Sequence, residues 1–318
     1  MKRNLILTVL IAMSSALYAQ FSPQVSYFMF DQLRTNPGSA GSLDMIDANL
    51  IYRNQMVGFK GSPTSYFFDI NAPFKLLGAQ HGIGLNIYND ELGFFKNIDF
   101  EVTYAYRFTL GNGTLGIGVQ AGGVSSKLAA TWIGINGDQA NDGSIPTGSG
   151  NKVKLNLAAG LFYRTEDIYF GISSVNINNP VIQTVGSGSS TSSGSYTIAR
   201  QYYVTAGYTM QLTNPAYEVK PAILLKSDTK VTDMDINIIL EYNKTIWGGV
   251  TYRTGEAVVA MAGLALTQLV PGLKVGFAYD FLTSSLNKKT ESYEVLLNYS
   301  FKIGVEKTPQ KYKSIRFL

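Results

Sequence analysis

Segments of roughly ten residues with period-two alternation recur from residue 47 to the end of the chain, and this repeat constrains the fold more than any other feature. In "LKVGFAYDFL", residues 273–282, Leu273, Val275, Phe277, Tyr279 and Phe281 alternate with Lys274, Gly276, Ala278 and Asp280. A strand built this way has one oily face and one partly charged face. The same division holds in 97–109, where Ile98, Phe100, Val102, Tyr104, Tyr106 and Phe108 oppose Asp99, Glu101, Thr103, Ala105 and Arg107. In the last segment Tyr293, Val295, Leu297, Tyr299 and Phe301 oppose Glu294, Leu296, Asn298, Ser300 and Lys302. The pattern predicts about fourteen strands, over 47–55, 64–72, 82–90, 97–109, 114–124, 152–164, 167–175, 200–211, 217–226, 233–243, 246–253, 256–266, 272–282 and 291–302.

Two architectures accept such strands. A soluble antiparallel sandwich turns the oily faces inward, and a transmembrane barrel turns them out to lipid. Large aromatics near strand ends, such as Tyr88, Tyr104, Tyr252, Tyr279 and Tyr299, favour the barrel, because interfacial girdles need them there. The segments are also longer than the usual strand of about five or six residues in soluble sheets. Beyond the first twenty residues the longest apolar run, Ala257 to Leu266, falls short of the roughly 20 residues of a membrane helix. A closed barrel is the other structure that satisfies every backbone polar group in lipid.

Export is expected from the N-terminus. Lys2 and Arg3 precede an apolar core from Leu5 to Ala12 and small residues leading to Ala19 and Gln20, the layout of a signal peptide cut after Ala19 or Ala16. The expected organisation is a signal peptide over 1–19, a plug or partner segment over 20–46, an outer-membrane barrel over 47–302 and a periplasmic tail over 303–318. Short connections at 110–113, 165–166, 212–216, 244–245 and 267–271 follow even-numbered strands. The long connections 125–151 and 176–199 follow strands five and seven and therefore belong at the opposite, extracellular end. The second carries "VGSGSSTSSGS", a composition that reads as a flexible external loop.

With lipid outside, the charged positions face the bore. Asp69, Glu101, Arg107, Lys154, Asp235, Glu241, Arg253, Lys274 and Asp280 are the expected lumen charges. A basic side chain turned to lipid near the midplane would cost about 2–4 kcal/mol.

Other chemistry is sparse. The net charge of +4 is spread along the chain without a basic stripe or nucleic-acid module, and the cluster Lys307, Lys311, Lys313 and Arg316 reads as a solvated tail. No cysteine is present, which excludes disulfides, thiolate metal sites and a lipid-bearing Cys. "GNGTLG" places Gly111, Gly113 and Gly116 at dinucleotide spacing, but it leads into a strand rather than a helix, and Asn112-Gly113 reads as a hairpin turn. His81, the sole histidine, reads as a solvated strand-end residue. Asp138, Asn141 and Asp142 lack the order of a calcium loop, and no nucleophile elbow appears. No catalytic residue, cofactor or metal site is expected.

The segment before the first strand has no alternation. "FSPQVSYFMFDQLRTNPGSAGS", residues 21–42, groups Tyr27, Phe28, Met29, Phe30 and Leu33 and breaks at Asn36-Pro37. So apolar a stretch invites association if left in water, so it either plugs the barrel or binds a partner.

"SYFMF" with "NPGSAGS", followed by "YRNQMVGFKGSPTSY" (52–66), resembles the opening of the PorP/SprF family, outer-membrane proteins of Bacteroidota associated with type IX secretion and gliding motility. Further echoes, in family order, are "LGFFKN" (92–97), "YAYRFTLGNGTLGIGVQAG" (104–122), "YYVTAGYTMQL" (202–212), "WGGVTYR" (247–253), "GFAYDFLTSSL" (276–286) and "SIRFL" (314–318). Met56 stands where the family usually has Trp, Gly38-Ser39 replaces a common Ala-Tyr, and Tyr293 replaces a frequent His. The resemblance implies a barrel that is no enzyme, needed for secretion or surface attachment of a particular type IX substrate such as an adhesin. Its implied partners are outer-membrane lipid, the secretion machinery and that substrate. By position, Arg53, Gly58, Phe59, Gly61 and Pro63 form the family's best-marked segment, and Gly and Pro there read as shaping the first hairpin. The architecture alone also admits a channel for small hydrophobic molecules.

Overall fold

The computed structural model describes residues 24–58, 60–128, 153–184, 194–283 and 291–302. The expected signal peptide, Phe59, Asp138, Asn141, Asp142, most of the Gly/Ser stretch and the tail over 303–318 lie outside the described residues.

Period-two alternation is satisfied by antiparallel hairpins, and the chain forms seventeen strands among the described residues. They are β1 Ile46–Val57, β2 Thr64–Leu76, β3 Ala79–Leu92, β4 Phe95–Leu110, β5 Gly113–Leu128, β6 Lys154–Arg164, β7 Ile168–Val175, β8 Val181–Thr184 and β9 Gly194–Thr197. Then come β10 Gln201–Tyr208, β11 Met210–Gln211, β12 Tyr217–Ser227, β13 Thr232–Tyr242, β14 Ile246–Arg253, β15 Ala257–Ala265, β16 Leu273–Leu282 and β17 Glu291–Phe301. β8 and β9 pair only with each other. The rest form one fifteen-stranded sheet in which β10 and β11 share a stave against β12, so the cylinder closes as fourteen antiparallel staves. β1 meets β17 from Ile46↔Phe301 upward, and β10 meets β12 from Tyr202↔Ser227, which completes the ring.

The chain departs from the expected strands in three places. Strand eight breaks at Thr209, whose N–H turns to the Asp167 carbonyl. The connection 176–199 contains the hairpin β8–β9, pinned by the buried Ile182 and hidden from period counting by the Gly/Ser stretch. The turn after β4 is Gly111-Asn112 rather than Asn112-Gly113, because Leu110 pairs with Gly113 and Gly111 takes the positive φ, +58°. The two long connections follow odd staves, but 93–94, 228–231 and 254–256 at the same end are short, so the asymmetry of the ends rests on those two connections.

The outer surface is a belt of exposed apolar side chains, including Ile98, Phe100, Val102, Tyr104 and Tyr106 of β4 and Phe277 and Phe281 of β16. Phe277 lies mid-strand and is 51 % exposed. Phe277→Arg is expected to destabilise the barrel by about 2–4 kcal/mol, read as a lower denaturant midpoint for refolding into bilayers. The same exchange at Leu77, 98 % exposed in the turn between β2 and β3, is expected to change little.

His81 is not solvated. It is 7 % exposed on the outer face, its Nδ1 2.8 Å from the Tyr104 hydroxyl and its ring stacked on Phe74. It belongs to the girdle of rings, where an imidazole finds both an apolar surface and a hydroxyl partner.

The inner face is mixed rather than ionic throughout. Ile51, Phe67, Phe162, Tyr203, Leu224, Ile239, Trp247, Val259 and Leu296 are buried there. A wall position can be apolar only if something apolar covers it. That cover is the N-terminal segment.

Candidate functional site

Residues 24–45 pack inside the cylinder. Val25 and Tyr27 join Ile51, Phe67, Trp247 and Leu296 in one cluster, while Phe28 joins Ala158, Tyr203 and Leu224 in another. Phe30 lies 5.5 Å from the Trp247 ring, with Lys274 Nζ 5.9 Å from its own ring centre. Met29 packs against both clusters. These side chains explain the missing alternation: the segment touches wall on several sides, so it has no single buried face for a period to mark.

The path is short and irregular, with one helical turn, α1 Gln32–Thr35, and one 3₁₀ turn, Pro37–Ser39. Asn36 caps the second turn by accepting from the Gly38 N–H at 2.9 Å, and Pro37 stands at its first position, where no N–H is needed. Asn36 Nδ2 also donates to the Leu161 carbonyl at 2.9 Å and Gly41 N to Asn71 at 2.9 Å. Asn49 donates to the Phe30 carbonyl and Ser173 to that of Thr35. Backbone polar groups that water cannot reach are thereby satisfied by the wall.

The close approach depends on glycine. A methyl group on Gly118 would overlap the backbone of Pro37 and Gly38, one on Gly116 the Gly38 carbonyl, and one on Gly82 the Ala40 carbonyl. The glycine-rich run after the β4–β5 turn thus leaves a groove on the inner face of β5.

An ionic network crosses the opposite wall. Arg53 pairs with Glu294, and its Nη2 lies 2.8 Å from Asp280. Arg253 reaches Asp280 and Asp235 at 3.4 Å each, and Lys226 reaches Asp235 at 3.3 Å. Both Glu294 oxygens accept from the Ser26 N–H, at 2.8 and 2.9 Å, and the Ser26 hydroxyl accepts from Arg253 at 3.2 Å. Three cations and three carboxylates, all buried, therefore hold the start of the segment. Glu294, Ser26 and Lys226 were not singled out from sequence. Pairing of Glu294 with Arg53 follows from a β1–β17 register that closure alone establishes.

Of the nine expected lumen charges, Asp69, Arg107, Asp235, Glu241, Arg253 and Asp280 are buried on inward positions. Glu101, Lys154 and Lys274 are half-buried on the same face. Arg107 bonds Asp44 at 2.9 Å where the segment passes into β1, and Glu241 pairs with Lys220. Asp31 bonds Arg34 at 2.6 Å; burial raises the Asp31 carboxyl above its ordinary range and Arg34 opposes that rise. At the end where Ile46 meets Phe301, a cavity of about 500 Å³ opens between the segment and the wall, lined by Met29, Leu33, Met45, Arg164, Lys220 and Trp247 among others.

The marked segment around the first hairpin divides. Gly58 and Gly61 take positive φ, +107° and +81°, and the Pro63 carbonyl accepts from Gln55 N at 2.9 Å, so these residues shape the connection. Arg53 does not; its side chain belongs to the ionic network in the bore.

Residues 17–299 match the family model described as type IX secretion system membrane protein PorP/SprF. No curated protein matches. Among solved structures, the Acinetobacter baumannii outer membrane protein Omp33 is 8 % identical, with 81 % of this chain and 99 % of that one covered and a TM-score of 0.47. The Ralstonia pickettii toluene transporter TbuX is 13 % identical over 85 % of this chain and 93 % of that one, TM-score 0.47. The Pseudomonas putida toluene transporter TodX is 10 % identical over 89 % and 95 %, TM-score 0.45.

Proposed function

The chain belongs to the PorP/SprF family of type IX secretion system membrane proteins, and from that premise we propose that it is a non-enzymatic accessory barrel of the outer membrane. It supports secretion or surface attachment of one type IX substrate, such as an adhesin. Residues 20–46 act as a plug, the two long connections face outward, and the barrel end at which β1 starts and β17 finishes faces the periplasm.

The observation that carries this reading is the fit between segment and bore. The first residues of the barrel chain are bonded to the wall through Ser26, Asn36 and Gly41 and lie in a groove that only glycine permits. A bore filled by its own chain is a poor conduit for a protein, so contact with substrate and machinery falls to the two rims. A hydrophobic-molecule channel needs a long apolar path, and here the bore is crossed by Arg53, Glu294, Asp280 and Arg253.

Deletion of the gene tests the proposal. Surface display of a cognate type IX substrate is expected to be lost while uptake of small hydrophobic molecules is unchanged. Normal display, or loss of uptake with display intact, overturns it. Affinity isolation of the barrel from outer membranes is expected to bring down a secreted or machinery chain, and to fail when residues on the rim where Ile46 meets Phe301 are altered.

A further inference from the structure

The cavity of about 500 Å³ at the end where Ile46 meets Phe301 takes no part in the secretion role argued above. Its size falls within the range of about 300–1,000 Å³ in which small-molecule sites are found. Met29, Phe30, Leu33, Met45, Ile239 and Trp247 give it an apolar lining. Farther along the bore the segment and the network of Arg53, Glu294, Asp280 and Arg253 fill the cylinder, so this space is a chamber rather than a stretch of channel.

The charges on its lining do not cancel. Lys220 is held by Glu218 and Glu241, and Asp47 accepts from Asn49, Asn298 and Ser300. Glu166 and Asp167 are exposed on the turn between β6 and β7. Arg164 donates to Gln32 at 3.2 Å and lies over the Phe162 and Tyr169 rings, with no carboxylate in ion-pair reach among the described residues. Lys274 has the Phe30 ring beside its Nζ and, among the described residues, no hydrogen-bond acceptor.

A second observation is independent of charge. Trp247 lines the same cavity and is 2 % exposed, and its Nε1 has no hydrogen-bond partner. A buried indole N–H ordinarily finds an acceptor. The indole lies over Gly263 and Gly276, where an added carbon would strike it, and Lys274 is the next inward position to Gly276 on β16. Phe30 stands beside both, 5.5 Å from the Trp247 ring and 5.9 Å from Lys274 Nζ. An ammonium and an indole N–H, each short of an acceptor, therefore stand together at an apolar wall. An anionic oxygen head suits the two donors, and a hydrocarbon body suits the wall.

We propose that this chamber binds a single-chain amphiphile with a carboxylate head, the head on Lys274 and Trp247 Nε1 and the chain along Met29, Leu33 and Ile239. Such binding is separate from the secretion role and does not rest on it. Arg164 adds to the positive potential that draws the head in.

Tryptophan quenching of the full-length protein in phosphatidylcholine nanodiscs is the test, with dodecanoate bearing a terminal bromine as probe. Trp132→Phe removes the other tryptophan and leaves Trp247 as reporter. Saturable quenching is expected, reversed by excess unbrominated dodecanoate. The brominated alcohol of the same chain length enters lipid as readily but lacks the charge, and is expected to quench only at about tenfold or more higher concentration. Lys274→Gln is expected to weaken binding of the acid by a similar factor, whereas Lys96→Gln, at an exposed pair with Glu91, leaves it unchanged. Heat-modifiable gel migration checks that each variant is folded. Quenching that does not saturate, or is equal for acid and alcohol, shows partition into lipid alone and overturns the proposal. Absence of quenching, or undiminished binding in a folded Lys274→Gln, overturns it too.

Discussion

Gly118→Val is expected to drive residues 36–41 out of the bore and to raise the conductance of the barrel. The added carbon would overlap the backbone of Pro37 and Gly38, and backbone cannot rotate aside as a side chain can. Overpacking of this kind costs about 1–3 kcal/mol even where neighbours adjust. Here the adjustment available is departure of the segment. The barrel itself should close as before, since Gly118 keeps its partners Ala105 and Gly160 in the ladder and valine suits a strand. The measurements are planar-bilayer conductance and protease cleavage within residues 21–42; both are expected to rise well above wild type. Gly248→Val, where an added carbon meets only ordinary contact, is the control. Unchanged conductance with an uncleaved segment in Gly118→Val would show that the groove tolerates bulk.

That groove also shows how far the sequence can be read. The lipid face of β4 and β16 was legible, because alternation against a uniform solvent repeats from Ile98 to Leu110 and over the whole of β16. The inner face met no uniform solvent. Ile51, Phe67 and Leu296 interrupt the polar set wherever the segment covers them, and from sequence such residues look like noise in the period. The inward glycines of β5 carried a signal of the same kind, with Gly116, Gly118 and Gly122 at spacing two and four on one face. A strand that gives up side chains on one face declares that backbone approaches there. What approaches could not be known, since residues 36–41 lie about eighty positions away and the contact exists only after closure.

The ionic network was half legible for a related reason. Arg253, Asp235 and Asp280 could be assigned to the bore by parity alone, but which charge meets which depends on register across seven staves. Period two fixes the face of a residue and leaves its height free. Ser26 was beyond reach, because its bonds to Glu294 are made by a backbone N–H that any residue but proline could supply, and its hydroxyl meets Arg253 only once the segment is docked.

Breaking one member of that network is the other change with a large expected effect. Arg53→Met leaves Glu294 and the adjacent Asp280 short of a cation in a site where both are buried, and uncompensated buried charge costs about 3–5 kcal/mol. The loss should appear as a lower urea midpoint at fixed detergent. Arg53→Met with Glu294→Leu removes one charge of each sign, leaves Asp280 with Arg253, and is expected to cost less than the sum of the single exchanges. It should still release the start of the segment, because the Ser26 N–H loses both carboxylate oxygens. Stability and docking therefore separate in the double variant, with the midpoint recovered in part and protease cleavage near Ser26 increased. If recovery of stability brought protection of the segment with it, Glu294 would be serving only to neutralise Arg53, and the latch would have to reside in the glycine groove alone.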